Sequence, residues 1–131
     1  MAKINWLDLL EWDDNQLNDI RMVAYAYLKQ GQYDVALKLF KMLNVIKPNT
    51  PYDIQTLGAI YLQTGKNLEA LSLFDQAIKL QPNHYPTLLN RGKALLYLGY
   101  KKQAIEQIRQ LLYCPERDIA TQASALISTY M

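Results

Sequence analysis

At 131 residues the chain is one domain's worth, and 50% apolar content suffices for a continuous core. The net charge is +2, with one Lys against four acids in residues 1–16, so the dense basic stripe of a nucleic-acid binder is missing. A single cysteine, Cys114, excludes an intramolecular disulfide. Asp8, Glu11, Asp13 and Asp14 break up the apolar opening and no 18-residue apolar run follows, so we expect a cytoplasmic chain with neither a secretory signal nor membrane insertion.

Residues 1–16 come first in chain order. Ile4, Trp6, Leu7, Leu9, Leu10 and Trp12 are apolar around most of a helix's circumference, so one packing face cannot bury them all. Trp6, Leu9, Leu10 and Trp12 are therefore candidates for a second interface, with Trp enrichment at interfaces as a weak tie-breaker. The competing reading packs both tryptophans on the first hairpin.

From residue 17 the sequence repeats itself. "YLKQGQYDVALKLF" at 27–40 returns as "YLQTGKNLEALSLF" at 61–74, an interval of 34, with Pro48 and Pro82 after the respective copies. A third copy at 95–108 keeps Gly99 and Ala104 and replaces the aromatics by Leu95 and Ile108. Repetition at one period predicts a stack of identical units, here about 17–50, 51–84 and 85–116.

Each unit reads as two helices. Ile20, Val23, Ala24 and Tyr27 share one face of the first; Val35, Ala36, Leu39, Phe40 and Leu43 mark the second, which stops ahead of Pro48. Gly31 supplies the turn between them. Small residues, Ala24, Gly58 and Gly92 on first helices and Ala36, Ala70 and Ala104 on second helices, let two backbones approach closely. In the third unit Arg91 occupies a helix-packing position and Pro115 comes one residue early. Residues 117–131 add Ile119, Ala123, Leu126, Ile127 and Tyr130 at helical spacing, with Asp118 as the expected N-cap, and read as a capping helix. The fold class is all-α.

No catalytic constellation is apparent. His84 and Cys114 bracket the third hairpin and antiparallel helices would bring them together, but no oxyanion loop or orienting partner accompanies them. One His and one Cys do not form a metal-ligand set, and no glycine-rich phosphate loop is present, so no enzyme activity, metal or cofactor is expected.

A helix that meets water should be polar on that face, yet the outward face of the first helices is not. It carries Arg21, Met22, Tyr25, Leu28 and Lys29 in the first unit, and Tyr52, Thr56, Ala59 and Leu62 in the second. The third unit adds Leu89, Asn90, Lys93, Leu96 and Tyr97. First helices line the concave side of such a stack, so this row predicts a groove for a peptide, with Arg21, Lys29, Asn90 and Lys93 fixing its orientation. Terminal segments folding back over the row would instead turn part of it into core.

The 34-residue helix–turn–helix with small, aromatic, Gly, Ala, Phe and Pro in this order resembles the tetratricopeptide repeat over roughly residues 17–116. The resemblance implies a superhelix of three repeats. Within that family, the carboxylate clamp of heat-shock co-chaperones needs Lys, Asn and Arg at set concave positions; here Tyr25, Thr56, Pro86 and Asn90 hold most of them, and only Arg21 keeps the charge. The segment "AYAYLKQGQYDVALKLFKMLNVIKP" (24–48) is similar to the first repeat of the small bacterial chaperones of type III secretion. That resemblance implies a cytoplasmic chaperone holding a translocator or needle subunit in its groove, with the N-terminal segment serving a homodimer or docking a small co-chaperone. A general tetratricopeptide adaptor is the alternative.

Overall fold

The computed structural model describes residues 4–130. Residues 1–3 and 131, the outer ends of the expected 1–16 and 117–131 segments, lie outside the described residues. The described residues form helices α1 (Trp6–Leu10), α2 (Asp14–Lys29), α3 (Tyr33–Ile46), α4 (Pro51–Gln63), α5 (Asn67–Leu80), α6 (Tyr85–Tyr97), α7 (Lys101–Arg109) and α8 (Arg117–Tyr130). None of them is long and apolar enough to cross a membrane.

The pairs α2–α3, α4–α5 and α6–α7 are the three hairpins. Gly31, Gly65 and Gly99 sit at their turns with φ of +77°, +84° and +91°, a conformation in which a side chain would strain the backbone. The first hairpin begins earlier than the repeat pattern suggests. Asp13 accepts a hydrogen bond from the Gln16 amide at 3.1 Å while Gln16 Oε1 accepts from the Asp13 amide at 2.6 Å, a reciprocal cap that starts α2 at Asp14. Pro51 opens α4, where its missing N–H costs nothing.

The small residues do what their spacing implies. A Cβ on Gly58 would lie 2.5 Å from the Phe74 ring, and one on Gly92 the same distance from Ile108 Cγ1, so both first helices press directly on the second helix of their own hairpin. Ala24, Ala36, Ala70 and Ala104 are fully buried. Phe40 and Phe74 are completely enclosed, and Tyr27 and Tyr61 pack beside them. Arg91, the polar residue in a packing position, is satisfied: its Nε donates to Asp75 at 2.6 Å and its Nη1 to Gln107 at 2.7 Å.

The two ends of the stack are covered unequally. At the C-terminal end, α8 buries Ile119 and Ala123 against Leu89, Ile108 and Leu111, closing the third hairpin. At the N-terminal end, five-residue α1 brings Trp6, Leu7 and Trp12 onto the first core cluster. Val23, expected on the packing face, is 51% exposed, whereas Leu57, its counterpart 34 residues on, is buried. The reason is positional, since that site packs against a preceding hairpin and the first repeat has none.

Candidate functional site

Helices α2, α4 and α6 bring part of the outward row together, while Lys29, Leu62, Leu89, Lys93, Leu96 and Tyr97 lie outside the depressions it lines. A shallow depression of about 270 Å³ runs from Tyr25 and Leu28 on α2, through Tyr52 and Ala59 on α4, to Pro86 and Asn90 on α6. A second depression of about 280 Å³ adjoins it between α2 and α4, bounded by Asn18, Arg21, Met22, Tyr25 and Tyr52. Tyr25 and Tyr52 belong to both, so the two form one groove across the hairpins.

The expected residues fall into three groups. Met22, Tyr25, Lys29, Tyr52 and Tyr97 are exposed, Met22 at 72% and Tyr25 at 46%. Tyr52 is held by a tilted ring contact with buried Phe40 at 6.2 Å, and the Lys29 ammonium lies 5.6 Å from the centre of the Tyr25 ring. Leu28, Leu62 and Leu96 form a half-buried floor, each packed into a different core cluster, and Ala59, Asn90 and Lys93 are half-buried beside them.

One residue leaves the row. Leu89 is buried in the cluster that includes Ile119 and Ala123 of α8; the C-terminal helix has turned this end of the face into core. Thr56 stays at the bottom of the depression, largely buried, its hydroxyl donating to the Tyr52 carbonyl at 2.7 Å within α4. The candidate second interface is likewise divided. Trp6 and Trp12 pack inward on the first hairpin, and Leu9 and Leu10 stay on the surface.

The charges are also differently disposed. Arg21 is bound to a residue that sequence reading does not single out: its Nε and Nη2 donate to the two carboxylate oxygens of Asp53 on α4 at 2.7 and 2.8 Å, and its Nη1 to Asn18 at 2.5 Å. Asp53 is completely buried, and the hydrogen bonds its carboxylate accepts raise the Arg21 pKa above the usual arginine value. The signal for such a pair is a carboxylate at the head of an apolar helix: in "PYDIQTLGAI" (51–60) Asp53 directly precedes Ile54, Leu57 and Ile60. Lys93 makes no ion pair or hydrogen bond among the described residues, and burial pushes its pKa down. His84 Nδ1 lies 2.7 Å from the Thr87 hydroxyl at the start of α6, and Cys114 Sγ donates to the Glu116 carbonyl at 3.4 Å, so each is engaged within its own segment.

Models of the tetratricopeptide repeat match residues 52–84 and 85–113. No curated protein matches the chain in sequence. Among solved structures, the Yersinia enterocolitica type III secretion translocator chaperone SycD superposes with a TM-score of 0.82 at 18% identity, covering 98% of this chain and 99% of that one. PcrH, in complex with the chaperone-binding region of PopD, gives 0.81 at 18% identity over 90% of this chain and 92% of its own. The first tetratricopeptide domain of Spaghetti (RPAP3), bound to an HSP90 peptide, gives 0.77 at 23% over 89% and 94%. At these identities the likeness is one of fold. This chain carries tetratricopeptide repeats, and its fold is a tetratricopeptide superhelix.

Proposed function

We propose that the protein is a cytoplasmic chaperone of type III secretion that holds a translocator or needle subunit in its concave groove before export. The observation that carries this reading is the exposed row of Met22, Tyr25 and Tyr52 beside a depression reaching from α2 to α6. Apolar surface left open on one side of a small domain is a binding surface, and a client that buries its own apolar segment there is kept soluble and unassembled. Likeness in fold to SycD and PcrH over nearly the whole chain supports the class of client. No catalysis and no cofactor enter the mechanism; release requires competition or work by the export machinery.

Groove residues on this reading are Met22, Tyr25, Lys29, Tyr52 and Tyr97 as exposed contacts, with Leu28, Ala59, Leu62 and Leu96 beneath them. The test is co-expression with a translocator or needle subunit that is insoluble alone. Wild-type protein should bring the subunit into the soluble fraction, while Met22→Glu/Tyr25→Glu, which alters exposed side chains only, should fail with unchanged helical content and melting. Equal rescue by both would remove the groove from the account. The fold of the RPAP3 domain with its bound peptide favours the alternative, an adaptor for folded proteins. An adaptor would capture a short peptide of a partner that is already soluble by itself.

A further inference from the structure

Three cations stand on the expected binding face, and they are not equivalent. Arg21 has its charge neutralised by the two oxygens of buried Asp53. Lys29 is exposed and sits over the Tyr25 ring. Lys93 is half-buried on α6, without a partner among the described residues, and burial alone holds its pKa below the lysine range. Lys93 stands one helical turn from Asn90, which lines the depression, and a partly desolvated ammonium with no counter-charge is unfavourable until a carboxylate binds. Asn90 precedes Lys93 by three residues, so the two side chains stand on one helix face with Cβ atoms about 5–6 Å apart. The Asn90 side chain also makes no hydrogen bond among the described residues and borders the Tyr25–Tyr52 depression. An ammonium and a carboxamide at that separation match the two oxygens of one carboxylate, each oxygen accepting one bond.

We propose that the client segment is apolar with one acidic side chain, an Asp or Glu whose carboxylate is received by Lys93 and Asn90 while neighbouring apolar residues cover Tyr25 and Tyr52. This deepens the groove reading above and rests on it. The source is a side chain within the segment, because a chain terminus with its own acidic tail would call for several cations and Arg21 is already consumed by Asp53.

The probe is a library of random peptides displayed as an internal loop of a carrier protein, so that no terminal carboxylate is offered. Selection is run on the wild-type protein, on Lys93→Glu and on Tyr25→Glu. Wild type should enrich loops with an acidic residue at a fixed distance from an apolar anchor. Lys93→Glu should weaken those loops about tenfold or more and, in its own selection, enrich a basic residue at the same register. Restoration by exchanging charge across the pair is something a merely structural lysine would not produce. Lys93→Met, which keeps the aliphatic stem, guards against misfolding and should lose the acidic preference without gaining a basic one. Loops that depend on Tyr25 but show no acidic preference would overturn the inference and leave the groove reading standing. Enrichment of acidic peptides only from a parallel library with free C-termini would also overturn it. Loops indifferent to Tyr25→Glu as well as to Lys93→Glu would remove both.

Discussion

Arg21 on α2 and Lys93 on α6 are cations on first helices of one stack, and their surroundings differ in kind. The first is 18% exposed and locked to a carboxylate that is completely buried, tying α2 to α4 across the repeat boundary. The second is half-buried and has no partner among the described residues. One charge is part of the framework; the other, left without a counter-charge by the fold, is the one we propose for the client's carboxylate. Position on the first helices therefore does not tell a paired, structural charge from an unpaired one; the partner each has inside the fold does.

The sharpest way to break the comparison is to make the same substitution at both sites. Arg21→Met keeps an aliphatic stem but strands the Asp53 carboxylate in the interior, and loss of one member of a buried pair costs about 3–5 kcal/mol. Urea denaturation should show that loss, and adding Asp53→Leu should recover most of it, since an apolar pair of similar volume does without either desolvation penalty. A loss below about 1 kcal/mol for Arg21→Met would put this pair with ordinary surface bridges.

Lys93→Met should move stability the other way. It removes a desolvated charge that nothing compensates, so the change is neutral or a gain of about 1 kcal/mol in the same urea experiment. A clear loss would mean that Lys93 has a structural partner and would narrow the difference from Arg21.

Much of this arrangement is legible in the sequence. Gly31, Gly65 and Gly99 recur because each hairpin turn needs a left-handed residue, and Ala36, Ala70 and Ala104 because each second helix needs a close approach. Local requirements of that kind repeat with the period. What a period cannot convey is which neighbour covers a residue. Leu89 occupies the repeat position of Arg21 and Gln55, and it became core because α8 lies over it. Val23 occupies the position of Leu57 and stays exposed because no hairpin precedes it. Trp6 and Trp12 turned inward because α1 lies on the otherwise open end of the first hairpin, leaving Ile4, Leu9 and Leu10 outside. The Arg21–Asp53 pair spans two repeats, and a helical wheel drawn for either one alone places both residues without joining them.

A smaller effect distinguishes the buried pair from a second ion pair on the same helix. Asp14 at the start of α2 accepts from Lys47 Nζ at 2.8 Å, with the two side chains 70% and 43% exposed. The hydrogen bond and charge of Lys47 lower the Asp14 pKa, with a minor contribution from Arg21. Its sign follows from linkage: a carboxylate with a depressed folded-state pKa adds stability above its unfolded value, about 3.9, and loses it as pH falls through the lower folded value. Lys47→Ala should therefore melt slightly below wild type at pH 7, and the two melting curves should converge in the acid range beneath about pH 3.9. Added salt should narrow the difference at pH 7, since both partners are open to solvent. The Arg21→Met deficit should survive the same salt, because Asp53 is out of its reach; a deficit that fades in parallel with that of Lys47→Ala would show the two pairs to be alike.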